Sequence, residues 1–165
     1  MNEKKLILIF LVVTVVLLFG GVFFIGNTTS TPVISASQNA KASMVGPNSI
    51  EFGQVNYNGD NVIKTFTVKN TGTDVLKIYN MKTSCHCTQA FATIDGNDSP
   101  NFGMNTLSSW VGEIKPGKTA KITANFDPKY HGLAGVGPIT RYISAETNDS
   151  SNSKLTFTLI GTVTK

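Results

Sequence analysis

The 165-residue sequence is poor in cysteine and in charge, and each shortage excludes a class of protein. Two cysteines are too few for a disulfide-rich scaffold. Charged residues make up 15% of the chain, and the 14 basic residues, set against 10 acidic ones, are scattered along it. This is not the clustered basic patch of a nucleic-acid-binding protein. The fold must therefore be stabilised by a hydrophobic core, and we expect no nucleic-acid partner.

The sequence also lacks the common catalytic motifs. It has no serine nucleophile elbow, no glycine-rich phosphate loop and no HExxH helix. Asp95 and Asp98 lie close together, but in a stretch rich in Asn, Gly and Ser, where acidic residues usually form turns. We therefore expect a protein without catalytic activity.

A long apolar run lies near the N-terminus. Leu6–Ile25 contains 20 residues without a charge, and a helix of that length reaches about 30 Å, the thickness of the hydrocarbon core of a bilayer. Lys4 and Lys5 precede the run, which predicts a single-pass anchor with a cytoplasmic N-terminus and an extracytoplasmic remainder. A cleaved secretory signal, with a small-residue site near Ser35, is the alternative. Both interpretations place the remainder outside the cytosol.

The composition divides the chain into three parts. Residues 1–26 form the predicted membrane anchor. Residues 27–45 are rich in Ser, Thr, Ala and Asn, which predicts a flexible linker. Residues 46–165 are enough for one domain with a core of its own.

Apolar residues alternate with polar ones through much of this domain, which is the period of a half-buried β-strand. The clearest runs are TAKITANF, LTFTLIGTV and VIKTFTVKN. Their inward residues are Ala120, Ile122, Ala124 and Phe126 in the first, Leu155, Phe157, Leu159 and Val163 in the second, and Val62, Phe66 and Val68 in the third. Less regular strands are predicted at 49–55, 75–81 and 139–145.

Turn signals separate these runs, and no amphipathic helix interrupts them. Many short strands with frequent turns predict an all-β, antiparallel, immunoglobulin-like sandwich. Residues 88–112 form a longer segment that we interpret as an ordered loop, since long ordered loops are often functional. Trp110 is expected to pack within that loop.

The order of several segments resembles a known family. The segments are IEFGQV, FTVKNTG, LKIYNMKTSCHCT, IKPGKTAKITANFDP, ISAETND and LTFTLIGTV. They are similar to the bacterial exported family called domain of unknown function 1573. The resemblance implies an immunoglobulin-like sandwich related to Hydin and abnormal-spindle type domains. It maps the family's cysteine pair onto Cys85 and Cys87, with His86 where glycine is common. The chain departs from the shorter family pattern by insertions at 91–114 and 129–141.

Both cysteines lie in KTSCHCTQA. If this stretch is extended, the two side chains project from one face with Cα atoms about 6.5 to 7 Å apart, at the limit of disulfide reach. Parallel thiolates favour a soft metal, copper or zinc, with His131 and Met104 as further ligands. A redox-active disulfide and inert packing are the alternatives. His86 is expected to be exposed, and Met81 to lie in the core.

These features together predict a function. We expect a membrane-anchored, extracytoplasmic immunoglobulin-like module that is not an enzyme and serves binding or assembly with a protein partner at the cell surface. The alternative is a copper- or zinc-binding protein with the ligands Cys85, Cys87, His131 and Met104. A thiol redox protein is the third interpretation.

Overall fold

A computed structural model describes residues 2–25 and 34–165; within the first range, the side chains of residues 6 and 18–25 lie outside the description. The first range contains helix α1 (Glu3–Ile25), which forms over the apolar run. In the described part of the chain, no helix is long and apolar enough to cross a membrane. The membrane span predicted for residues 6–25 is therefore not supported by the structure.

The second range is a two-layer β-sandwich. Its strands are β1 (Ala42–Val45), β2 (Ser49–Asn56), β3 (Val62–Asn70), β4 (Leu76–Thr83), β5 (Thr88–Ile94), β6 (Asn97–Asp98), β7 (Val111–Ile114), β8 (Thr119–Phe126), β9 (Gly137–Thr147) and β10 (Lys154–Thr164). The first sheet has the order β1-β3-β8-β5-β6, and the second has the order β2-β10-β9-β4-β7. A short 3₁₀ helix (Gly132–Gly135) lies between β8 and β9. The two sheets confirm the predicted immunoglobulin-like β-sandwich.

The six strands predicted from alternation are all present, as β2, β3, β4, β8, β9 and β10. In β8 and β10 every residue predicted to point inward is buried. The core between the sheets is continuous, and its largest fully buried side chains include Phe102, Phe157 and Met81. The prediction that Met81 is a core residue is confirmed.

One strand pair departs from the antiparallel pattern. β2 runs parallel to β10, with Ser49 opposite Thr158 and Val55 opposite Val163. Gly161 lies at the irregularity in this pairing, and a Cβ added there would overlap the Phe52 ring. A larger residue at position 161 would therefore require the Phe52 ring to move.

Two predicted segments differ from the structure. The predicted linker 27–45 includes β1, which pairs with β3, and Ala40, which is fully buried; residues 27–33 lie outside the described residues. The predicted loop 88–112 contains β5, β6 and the start of β7. Alternation predicts neither segment well, because small residues such as Ala90 and Ala92 provide the buried positions. Within this segment Trp110 packs on Phe102, with ring centroids 5.5 Å apart, as expected.

Buried polar side chains meet near the start of β4. Asn70 donates to the carbonyls of Asp74 and Ile114, both at 2.8 Å, and accepts from the amide of Gly72. Asn148 accepts from the amide of Lys77 at 2.7 Å. No buried side-chain nitrogen or oxygen in the described part of the chain lacks a hydrogen-bond partner.

Asp149 links the segment before β1 to this end of the sandwich. Its side chain is 3% exposed and accepts from the amides of Ala42 and Ser151, and its carboxylate lies 3.6 Å from the ammonium of Lys41. Burial raises the pKa of Asp149, but the backbone hydrogen bonds and Lys41 outweigh it, so the pKa lies below its usual value. The carboxylate is therefore held in its charged form.

Candidate functional site

Both cysteines lie in a tight turn that follows β4. The chain bends at 84–85 and turns at 86–87, and the amide of Thr88 donates to the carbonyl of Cys85 at 3.1 Å. The buried hydroxyl of Thr83 donates to the carbonyls of both Cys85 and Thr88. The expectation of an extended stretch is therefore wrong, because these hydrogen bonds fold the backbone into a turn.

The turn brings the two cysteines together as a disulfide. Their Cα atoms lie 5.2 Å apart, within the usual disulfide range of about 4.4 to 6.8 Å. The predicted parallel arrangement of two separate thiols is thus replaced by a bonded pair. The two sulfurs differ in environment, since Cys85 is partly exposed and Cys87 is 2% exposed.

His131 lies against the more accessible sulfur. Its Nε2 atom is 3.3 Å from Sγ of Cys85. The residue ends the turn between β8 and the 3₁₀ helix, where Gly132 adopts a φ of 55° and its amide donates to the carbonyl of Lys129. The ring of Tyr130 contacts His131 edge-on, at 5.0 Å between centroids. The turn thus places an imidazole on Cys85.

Arg141 lies against the buried sulfur. Its Nε atom donates to Sγ of Cys87 at 3.1 Å, and its guanidinium is 6.0 Å from the centre of the Phe126 ring. Burial lowers the pKa of Arg141. Within the described residues this guanidinium forms no salt bridge. A partly buried cation therefore contacts a neutral sulfur without an anionic partner.

The predicted metal ligands are brought together in part. The ligand atoms of Cys85, Cys87 and His131 all lie within 4.8 Å of one another. Met104 is 41% exposed on the loop between β6 and β7, and its role as a ligand stays a prediction. His86 is exposed, as expected, with its ring 6.5 Å from that of Tyr130.

A polar groove of about 210 Å³ opens beside Cys87. Amide side chains of Gln89 and Asn125 line it, and the rings of His86 and Tyr130 stand at its side. Polar groups are therefore available next to the disulfide.

Arg141 and Thr83 are the site residues that sequence reasoning missed. Arg141 carried a usable signal, because it stands in the inward phase of β9, between the buried residues Ile139 and Ile143. A charge at an inward strand position needs a partner or a function. Thr83 has no comparable signal, since its role depends on the turn that follows it.

Comparisons with known proteins agree with this fold. Residues 44–95 match the model of the family described as protein of unknown function DUF1573, which confirms the family resemblance expected from the sequence. No curated protein sequence matches the chain.

Several solved structures are similar. A protein of unknown function from Porphyromonas gingivalis has a TM-score of 0.58 and 18% identity, over 80% of this chain and 50% of its own. A family 123 glycoside hydrolase from Clostridium perfringens has a TM-score of 0.51 and 12% identity, over 76% of this chain and 27% of its own. The ASH / PapD-like domain 7 of human CEP192 has a TM-score of 0.49 and 17% identity, over 84% of this chain and 96% of its own.

The chain therefore spans half of the Porphyromonas protein and about a quarter of the glycosidase. At such low identities the first two similarities establish the shared sandwich fold and nothing about activity.

Proposed function

We propose that this protein is an extracytoplasmic β-sandwich module whose functional site is a reversible disulfide between Cys85 and Cys87. The observation that supports this most directly is that each sulfur has its own polar partner. An imidazole contacts the accessible sulfur, and a guanidinium contacts the buried one. A purely structural disulfide requires neither partner, and a bridge across two residues closes too small a loop to stabilise the fold much.

The environment of Arg141 favours the reduced state. Reduction converts the sulfur of Cys87 into a thiolate, which gives the partly buried guanidinium the anion that it lacks in the oxidised protein. A hydrogen bond to a charged group contributes about 1.5 to 3 kcal/mol. The contact therefore makes the pair easier to reduce than it would be without the cation.

Exposure determines the order of bond exchange. A thiolate from a dithiol substrate attacks the accessible Sγ of Cys85, and the electron pair of the Cys85–Cys87 bond passes to Sγ of Cys87. Arg141 stabilises that leaving thiolate. The second substrate thiol then attacks the mixed disulfide and releases Cys85, with His131 placed to supply a proton to its sulfur. The substrate leaves as a disulfide, and both cysteines are left reduced.

The test is a redox titration of the full chain in buffers of reduced and oxidised dithiothreitol. We expect two titratable thiols per chain in the folded, reduced protein and full return of the disulfide on reoxidation. Arg141→Gln should shift the equilibrium toward the disulfide by about tenfold, because it removes one charge-assisted hydrogen bond.

Two variants control that experiment. Arg141→Lys retains the charge and should restore part of the shift, and Lys121→Gln removes an exposed charge from β8 and should change nothing. A pair that is reduced only when the protein unfolds would overturn the proposal. So would an Arg141→Gln titration that coincides with that of the native sequence.

A second candidate function is the binding or assembly role at the cell surface, without catalysis. It is favoured by the large exposed side chains Tyr130, Leu133 and Tyr142, which lie close in sequence to His131 and Arg141. A protein partner bound there should be lost with Leu133→Ser and retained with Ile63→Ser, which removes an equally exposed side chain from β3. Retention by both variants would count against this candidate.

The extracytoplasmic location is proposed from the uncharged run at Leu6–Ile25 and the preceding Lys4 and Lys5. Disulfides are also more usual outside the cytosol. Protease added to intact cells, from which any cell wall or outer membrane has been removed, should digest the sandwich. Protection until the cells are lysed would place it in the cytosol, and fractionation would separate an anchored chain from a released one.

A further inference from the structure

We infer that the reduced protein binds one Cu(I) ion through Sγ of Cys85, Sγ of Cys87 and Nε2 of His131. This inference rests on the proposed function, because the two thiolates exist only after the disulfide is reduced. It goes beyond that function by assigning a ligand to the reduced state. The three ligand atoms are already within 4.8 Å of one another in the oxidised protein.

The spacing fits one shared ion. Thiolate and imidazole ligands lie about 2.3 Å and 2.1 Å from a bound metal, so two ligand atoms on one ion are at most about 4.6 Å apart. Sγ of Cys85 and Nε2 of His131 are 3.3 Å apart. Breaking the disulfide lets the two sulfurs separate toward this range. Small side-chain movements are therefore enough to form the site.

The number of ligands favours Cu(I) over Zn(II). Zinc in structural sites takes four protein ligands, whereas this group of Cys, His, Asp and Glu side chains has three members in the described part of the chain. Two thiolates and an imidazole are also the soft ligand type that selects Cu(I). With these three ligands, zinc would need water in the fourth position, as in catalytic and not in structural sites.

Charge favours the same ion. Two thiolates, one Cu(I) and a neutral imidazole carry a net charge of −1, and the guanidinium of Arg141 beside Cys87 brings the site to zero. With Zn(II) in place of Cu(I), the same groups carry +1. Because burial penalises a net charge, the partly buried site is better matched to the monovalent ion.

The disulfide and the metal compete for the same sulfur atoms. The oxidised pair has no thiolate to offer, so the oxidised protein is not expected to bind the ion. A bound ion in turn protects both sulfurs from oxidation. Copper occupancy is therefore controlled by the redox state of the pair.

The test is anaerobic titration of the full chain with Cu(I), using a colorimetric Cu(I) chelator as competitor and thiol titration of the same sample. We expect one ion per chain in the reduced protein and none in the oxidised protein. His131→Ala should weaken Cu(I) binding by at least about tenfold. Losses of that size are typical even when the substituted residue only hydrogen-bonds to a metal ligand. His86→Ala is the matched control, because it removes the neighbouring exposed imidazole, and it should bind as the native sequence does.

Failure of this inference is distinguishable from failure of the proposed function. Two titratable thiols with no more copper than the Cys85→Ser/Cys87→Ser variant would overturn the copper site alone. Absence of titratable thiols in the folded protein would overturn both. Zn(II) displacing Cu(I) from the reduced protein in equimolar competition would overturn the choice of metal, and equal losses in His131→Ala and His86→Ala would overturn the assignment of the third ligand.

Discussion

The two ends of strand β4 carry polar groups of different kinds. Near its start, Asn70, Asn148 and Asp149 are buried, and their side chains are hydrogen-bonded to backbone groups. Beyond its end, Arg141 contacts a neutral sulfur of the disulfide and forms no salt bridge with any described residue. We call the group of Asn70, Asn148 and Asp149 the saturated end, because its polar side chains have hydrogen-bond partners. We call the group of Arg141 and the disulfide the reactive end.

The difference separates stability from function. At the saturated end each buried donor or acceptor has a fixed hydrogen-bond partner. Removing one side chain leaves its partners without a hydrogen bond, which lowers the free energy of unfolding. At the reactive end the partner of the cation changes with the state of the sulfurs. Substitutions at the first end should change the free energy of unfolding, and those at the second should change thiol chemistry with little effect on folding.

The largest effect is expected from Asn70→Ala at the saturated end. It leaves the buried carbonyl of Ile114, the carbonyl of Asp74 and the amide of Gly72 without their partner, which should lower the free energy of unfolding by about 3 kcal/mol. Urea denaturation monitored by tryptophan fluorescence measures it. Asn61→Ala, which removes an exposed asparagine from its bond to Asn125, should cost less than about 0.5 kcal/mol. If Asn70→Ala and Asn61→Ala lowered the free energy of unfolding equally, the saturated end would have no special role in stability.

Asp149→Asn should have the next largest effect, and the effect should depend on pH. Since the folded pKa of Asp149 lies below its unfolded value of about 3.9, the carboxylate stabilises the fold above that value and loses its contribution as pH falls through the folded pKa. The variant should be less stable by about 2 kcal/mol at pH 7. That difference should shrink below about pH 4. A constant difference across this range in urea denaturation would contradict the assigned role.

Reduction of the disulfide should have the smallest effect on stability. Cross-linking residues two apart restricts the unfolded chain by at most about 1.5 kcal/mol in the chain-entropy model. The new contact between Arg141 and a thiolate should offset part of this loss. Denaturation of the native sequence with and without a phosphine reductant measures the difference. If reduction lowered the free energy of unfolding as much as Asn70→Ala does, the disulfide would have a structural role and the distinction between the two ends would be wrong.

The sandwich was predictable because its strands follow simple alternation. In β8 and β10 the inward residues are large or regularly spaced, and burial follows the predicted phase. In β5 the buried positions are Thr88, Ala90 and Ala92, whose small or polar side chains give little hydrophobic signal. Their burial comes from the packing of this face of the sheet in the core and cannot be read from local sequence.

The candidate site was predictable in its members more than in its geometry. His131 lies 46 positions from Cys85, and residue type alone made it a candidate. The turn at the cysteines depends on the Thr83 hydroxyl, whose two acceptors are set by the backbone it folds. Arg141 reaches Cys87 only because β9 lies beside β4, a pairing that spans 60 positions and more.

The parallel pairing of β2 with β10 has a consequence for folding. β2 joins the second sheet only through β10, the last described strand in chain order, so its place in the sheet depends on a contact between distant segments, which forms slowly. The cysteines, two positions apart, need only the local turn to meet. Loop-closure entropy therefore opposes the bridge less than it opposes the contacts with the imidazole of His131 and the guanidinium of Arg141.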